Sequence, residues 1–151
     1  MSELKSRVES QDSKPGTESG TDSVTKPVRP IVKTIDHCSL IVADTAKAVD
    51  FYRKILSLEV DELRPDLGYP GAWLWVGDRQ FHLIEVPNPY KDVIIPEHGR
   101  NDQHVALQVS RLDVIVVRLE AASIEYKKSK SGRQALFFRD LDNNTIELVE
   151  K

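Results

Sequence analysis

Residues 36–42 read Asp36-His37-Cys38-Ser39-Leu40-Ile41-Val42. Successive side chains of a strand point to opposite faces. Cys38, Leu40 and Val42 therefore share one face, and His37, Ser39 and Ile41 share the other. The pattern predicts a half-buried strand over residues 33–43 whose polar face carries an imidazole. Working outward, Asp44 is placed to cap a helix. Ala48, Val49, Tyr52, Ile55 and Leu56 recur near the 3.6-residue period and give that helix one buried stripe. Residues 58–63 predict a short strand. Residues 65–71, with two prolines and two glycines, predict a loop. Residues 72–76 and 79–86 flank Gly77-Asp78 and predict a hairpin.

The same order restarts at residues 103–109, Gln103-His104-Val105-Ala106-Leu107-Gln108-Val109. Val105, Leu107 and Val109 share one face; His104, Ala106 and Gln108 share the other. Ser110 is the expected cap of a helix carrying Leu112, Ile115, Val116, Leu119 and Ala122. Strands are expected over 125–128, 134–139 and 145–149, the last two joined by Asp140-Leu141-Asp142-Asn143-Asn144. Asparagine tolerates the left-handed conformation such a turn needs. The chain thus repeats a β-α-β-β-β unit, over residues 33–86 and 103–150, with residues 87–102 as a proline-containing linker. The expected fold class is α+β, with paired βαβββ modules forming a cupped mixed sheet.

Residues 1–30 differ in composition. They hold five acidic and five basic residues, many Ser and Thr, and only Met1, Leu4, Val8, Val24 and Val28 as apolar residues. So little apolar surface does not offset the entropy of ordering, and a disordered tail is expected, with residues 31–151 as the domain. The tail has no apolar core of a secretory signal. The single cysteine fits a reducing compartment, and a cytoplasmic location is expected. A net charge of −3 offers no basic footprint for nucleic acid. No apolar run approaches the ~20 residues of a bilayer span.

The repeat also aligns four metal-ligating side chains. His37 and His104 stand early in the first strand of their units. His82 and Glu147 stand in the last strand, where Phe81 and Leu83 oppose His82 and Ile146 and Leu148 oppose Glu147. Three imidazoles and one carboxylate on one cavity face predict a divalent metal site. A strand histidine taken alone is more often structural, and the joint symmetry favours the metal reading. His98 sits in the linker, is expected to be exposed, and is left out of the set. If Gly77-Asp78 is a two-residue loop, Trp73 pairs with His82 and Trp75 with Gln80. Both tryptophans then either line the cavity as a wall for a substrate or pack under the 65–71 loop. Gln108 lies on the cavity face and is placed to orient a substrate oxygen. Arg133 and Lys130 either meet an anionic substrate or belong to a solvated loop. No Gly-x-Gly-x-x-Gly, Walker or Cys-x-x-Cys pattern is present.

These motifs, with Ala48-Val49-Asp50-Phe51-Tyr52 and residues 137–148 (Phe-Phe-Arg-Asp-Leu-Asp-Asn-Asn-Thr-Ile-Glu-Leu), resemble the vicinal oxygen chelate superfamily, which includes glyoxalase I, extradiol dioxygenases and fosfomycin-resistance enzymes. The resemblance covers residues 33–150. It implies a glyoxalase-like fold, often assembled as a homodimer. It implies His37, His82, His104 and Glu147 as ligands of a divalent ion (Zn, Ni, Mn, Co or Fe). It implies a metal-dependent lyase or isomerase that chelates adjacent oxygens of a small carbonyl or hemithioacetal-like substrate and stabilises an enediolate. Glu147 is then either a proton shuttle or a permanent ligand. The alternatives are an Fe(II) extradiol-type dioxygenase and a non-catalytic module that binds a drug or metabolite. At the second ligand position glyoxalase I typically has Glu, and this chain has His82. Ile41 and Val86 stand where glutathione-using members carry Arg and Asn.

Overall fold

A computed structural model describes residues 31–89 and 91–151, so the tail expected over 1–30 lies outside the described residues. The first module runs β1 (His37–Val42), α1 (Thr45–Leu56), β2 (Glu59–Val60), β3 (Gly71–Val76) and β4 (Arg79–Glu85). A 3₁₀ turn (Gly99–Asn101) precedes the second: β5 (His104–Val109), α2 (Leu112–Ala121), β6 (Tyr126–Lys128), β7 (Ala135–Arg139) and β8 (Thr145–Glu150). Each module forms one four-stranded mixed sheet, ordered β1-β4-β3-β2 and β5-β8-β7-β6. The first and last strands of each module are parallel neighbours, with the intervening helix as the crossover. The β1 and β5 strands are therefore sheet edges. Among the described residues no helix is long and apolar enough to cross a membrane.

The two modules resemble one another down to single side chains. Asp44 caps α1, accepting from the Lys47 N–H at 3.0 Å. Glu85, at the end of β4, also accepts from the first helical N–H, Thr45, at 2.7 Å. Glu150, at the end of β8, accepts from the Leu112 N–H of α2 at 3.0 Å. Glu85 pairs in register with Val42, and Glu150 with Val109, so the two glutamates are counterparts. Ser110 does not cap α2. The chain enters that helix through Arg111, which makes no side-chain cap and instead grips Asp113, and Glu150 satisfies the orphan donor from across the sheet. The β3–β4 hairpin turns on Gly77 (φ 62°), with Asp78 outside the left-handed region. That is the type II′ pattern, which needs glycine at its first position. The β7–β8 turn uses Asn143 at φ 67°.

The core is one cluster drawn from both modules. Leu40, Val42, Phe81 and Leu83 enter it from the first sheet, and Leu136, Phe138, Ile146 and Leu148 from the second. The α1 stripe includes Phe51, which periodicity did not select, while Val49 and Leu56 are only partly buried. Phe51 meets Phe138 across the modules at 6.3 Å between ring centroids. Arg118 of α2 donates to the Ile55 carbonyl at 3.0 Å and to Ser57 Oγ at 2.8 Å, closing the helix C-terminus. A further tie between the modules is buried. The Tyr52 hydroxyl donates to Asp140 Oδ2 at 2.7 Å, and the Asp142 and Asn144 N–H groups donate to Oδ1 at 2.9 and 2.8 Å. Burial raises the Asp140 pKa against these donors, and burial together with Asp140 pushes the Tyr52 phenol well up.

Candidate functional site

Strand parity puts the helix-packing side chains on one face of each sheet and the expected ligands on the other. On that second face the structure assembles two pairs. In the first sheet, Ser39 stands opposite His82 in the β1–β4 register, and His37 lies two residues before it on the same face. The imidazoles of His37 and His82 stack at 3.9 Å, 12° from parallel. Trp73 pairs with His82 across β3–β4, as a two-residue turn requires, and stacks on its other side at 4.4 Å and 10°. Trp75 pairs with Gln80 on the same face but is 42% exposed.

In the second sheet, Glu147 stands opposite Ala106 of β5 and Phe137 of β7. Glu147 is 4% exposed, and its Oε2 lies 3.4 Å from His104 Nε2. Arg133 Nη2 donates to Glu147 Oε1 at 3.1 Å, with Ser131 bracing its Nε. Phe137 packs edge-on against His104 at 5.3 Å and against His98 at 5.2 Å. Phe137 is the counterpart of Trp73, an aromatic beside the last-strand ligand. Sequence reading missed it, although its register against Glu147 held the signal. His98 is half-buried rather than exposed. Its Nδ1 accepts from the Arg100 N–H at 3.2 Å, and its Nε2 reaches the Lys128 carbonyl at 3.3 Å, so it anchors the linker.

Hydrogen bonds set the ring nitrogens. His104 Nδ1 lies 2.8 Å from the Asp102 carbonyl, an acceptor only, so Nδ1 donates there and Nε2 faces Glu147. Asp102 is fixed by Arg139, which donates to its carboxylate at 2.7 Å and to the Pro96 carbonyl at 2.9 Å. Burial works to raise the Asp102 pKa; donors from Arg139, Thr145 and the Gln103 N–H override it and leave the carboxyl lowered. His37 Nδ1 lies 3.0 Å from Asp36 Oδ2, and this hydrogen bond lowers the Asp36 pKa. The pKa of His82 is lowered, first by burial and then by the adjacent His37.

The pairs do not meet within one chain. Among the described residues no three His, Cys, Asp or Glu side chains converge to hold a metal. A cavity of about 700 Å³ opens between the edge strands, lined by Ser39, Ile41, Ile94, Gln103, His104 and Asn144 among others; His37, His82 and Glu147 lie outside it. Gln108 is exposed on β5.

The sequence model of the Glyoxalase/Bleomycin resistance protein/Dioxygenase superfamily matches residues 34–148. The chain is 29% identical over 121 residues to glyoxylase I 4 of Arabidopsis thaliana, covering 76% of this chain and 69% of that protein. It is 24% identical over 124 residues to the metallothiol transferase FosB of Staphylococcus epidermidis, covering 78% and 84%. Its fold matches the crystal structure of the fosfomycin resistance protein FosX from Listeria monocytogenes with a TM-score of 0.64 at 19% identity, over 80% of this chain and 95% of that one. A related FosX structure was solved with Mn(II). Two βαβββ modules with matching ligand-type residues, and a family match that spans both, establish that this chain belongs to the glyoxalase/bleomycin resistance/dioxygenase superfamily.

Proposed function

We propose that this protein is a divalent-metal-dependent enzyme of glyoxalase type, acting on a small substrate with two adjacent oxygens, and that its metal site is built between two copies of the chain. The observation that carries the reading is the His104–Glu147 pair. Two ligands about 2.1 Å from one ion, 90–109° apart, are separated by roughly 3.0–3.4 Å. His104 Nε2 and Glu147 Oε2 stand 3.4 Å apart, with Nδ1 of the imidazole already engaged. A hydrogen bond on the far ring nitrogen is the usual support of a metal-bound histidine. His37, tied through Nδ1 to Asp36, meets the same requirement. The donor set therefore fits a divalent ion such as Zn, Ni, Mn, Co or Fe.

The division into two pairs supports a homodimer. His37 and His104 lie on edge strands, and neither sheet alone offers more than two donors. A second copy related by a two-fold axis brings the first module of one chain to the second module of the other, twice. The ion, when bound, supplies Lewis-acid polarisation of the chelated oxygens. The chain's own groups do the rest. Glu147 is buried and gripped by one cation, so when a substrate takes its place in the site the carboxylate is positioned to accept a proton from the carbon next to the carbonyl. Arg133, half exposed beside it, is the group to meet an anionic substituent. Trp73 supplies an aromatic wall.

Elemental analysis of the purified protein tests the reading. It predicts about one divalent ion per chain, lost in His104→Ala and Glu147→Gln. Protein that holds no divalent ion yet binds a small molecule tightly would establish the non-catalytic module instead. Iron together with oxygen uptake on catechols would establish the dioxygenase.

A further inference from the structure

The loop between β2 and β3 carries a cation that the metal-site pairs do not use. Among the described residues four arginines are half-buried: Arg64, Arg79, Arg118 and Arg139. A charge withdrawn from water needs a partner. Arg79 pairs with Asp78 at 3.1 Å and Arg139 with Asp102 at 2.7 Å. Arg118 sits at the Ile55 carbonyl, at the C-terminal end of α1 where the helix dipole is negative. Arg64 has no such partner. Its Nη1 donates to the Pro65 carbonyl at 3.4 Å and its Nη2 to the Tyr69 carbonyl at 3.0 Å, both neutral acceptors. Its Nε is buried with no hydrogen-bond partner. The acids of the same loop are committed elsewhere. Asp61 accepts from the Leu63 N–H at 2.9 Å and from Gln80 at 2.6 Å, and Asp66 accepts from the Gly68 N–H at 2.9 Å. Among the described residues Arg64 forms no ion pair.

The sheet sets where this cation stands. The Asp61 N–H donates to the Trp73 carbonyl at 2.8 Å, which keeps the chain against β3 up to the loop. The Asp61 side chain then reaches Gln80, which shares a face of β4 with His82. The Arg64 N–H closes the turn on the Asp61 carbonyl at 3.4 Å. The guanidinium comes to rest beside Gly71, two residues before Trp73; a Cβ at Gly71 would stand 3.3 Å from Nη2. Its carbon lies 5.4 Å from the centre of the Tyr69 ring. Two carbonyls and an aromatic ring thus fix the fork without neutralising it. Each Nη keeps a second N–H that these contacts leave unused. We propose that Arg64 recognises an oxyanion, a carboxylate or a phosphoryl group, on the substrate of the metal site. The inference rests on the metal-dependent reading above and adds a substrate class to it: the chelating substrate carries negative charge away from its two adjacent oxygens. In the two-chain site Arg64 is the cation that the first module brings, as Arg133 is that of the second. Arg133 already meets Glu147 at 3.1 Å, whereas Arg64 is held in place with its charge unspent. A donor fixed in advance loses little freedom when the anion arrives.

Nitrogen-15 spectra of the arginine side chains test the proposal on the full-length protein, with and without added Zn(II). Inorganic phosphate and acetate serve as separate probes. The Arg64 Nε–H is buried, so its signal is protected from exchange, and its disappearance in Arg64→Lys assigns it. At least one probe is expected to shift that signal to saturation, and the probe that does so distinguishes a phosphoryl group from a carboxylate. Arg64→Met should weaken binding of that probe about 10-fold or more, with the Zn(II) content equal to the parent's. Zn(II) uptake with no saturable shift from either probe overturns this inference alone. A shift shared equally with the exposed Arg53 and Arg100 also overturns it, because that pattern is general screening. Loss of Zn(II) in Arg64→Met overturns it as well, since Arg64 would then support the fold of the site. Saturation at Arg64 in protein that takes up no Zn(II) contradicts the metal reading and leaves the oxyanion contact standing.

Discussion

Replacing Tyr52 by Phe removes one oxygen atom and one contact between the modules. The phenol is fully buried, and its hydroxyl donates to Asp140 at 2.7 Å. The ring keeps its edge-on contacts with Phe51 at 5.3 Å and Phe81 at 5.7 Å, so packing is preserved. After the change Asp140 Oδ2 retains only the Asn144 side-chain amide, at 2.8 Å, and Oδ1 retains two backbone donors. A hydrogen bond to a charged acceptor contributes about 1.5–3 kcal/mol net. We expect a loss of about 2 kcal/mol at pH 7, read as a fall of about 1.3 M in the urea midpoint at an m-value of about 1.5 kcal/mol/M. The pH dependence gives the sign. Because burial raises the Asp140 pKa in the folded protein, the native state binds more protons than the unfolded one. Asp140's contribution is full below the unfolded value of about 3.9 and is lost as pH rises through the raised folded value. Removing the Tyr52 donor raises that folded value further. The gap between variant and parent is therefore widest at neutral pH and narrows as acid protonates Asp140. A midpoint change below about 0.3 M at pH 7, or a gap that widens from pH 7 to pH 4.5, would refute the buried hydrogen bond to an ionised Asp140.

Other outcomes follow from single contacts. Gly99→Ala places a Cβ 2.6 Å from Thr145 Cγ2 and 2.9 Å from Phe137 Cβ, so it should destabilise by about 1–3 kcal/mol in thermal unfolding; an unchanged midpoint contradicts the close packing of the 3₁₀ turn. The Glu85 carboxyl is lowered by its hydrogen bond to Thr45, so its contribution is present above the unfolded value of about 4.3 and lost as pH falls through the lowered folded value. Glu85→Gln should flatten stability in that acid window, and an acid limb identical to the parent's contradicts the cap. Arg139→Met releases Asp102, whose carbonyl orients His104, and should weaken Zn(II) binding about 10-fold or more in calorimetry; unchanged affinity would detach the Arg139–Asp102 support from the site.

The repeated plan was legible because it is local. Alternation in residues 36–42 and 103–109 needs only the two-residue strand period, and the Gly77-Asp78 turn fixes Trp73 against His82. What was not legible depends on residues far apart in the chain. Ser110 has the chemistry of a cap, but Glu150 reaches the α2 N-terminus from the last strand. Phe51 joins the core because Phe138 of the other module meets it. The strand expected over 58–63 shrinks to Glu59–Val60, where β3 offers it only Trp75 and Leu74 as partners. The site follows the same division. His37, His82, His104 and Glu147 declare themselves by position in the repeat. Their grouping into pairs, the stacking of Trp73 on His82, and the place of Phe137 beside Glu147 are properties of the folded sheets.

In the proposed dimer each metal site joins the His37 half of one chain to the His104–Glu147 half of another. Mixing His37→Ala chains with Glu147→Gln chains tests it. Neither variant alone should retain the ion. After unfolding and refolding together in equal amounts, half of the dimers are expected to pair unlike chains, and each of those carries one intact site and one doubly broken site. Metal analysis should then recover about a quarter of the parent's content. A mixture that stays as empty as its components contradicts the shared site, and a His37→Ala protein that keeps its full metal content contradicts the ligand assignment.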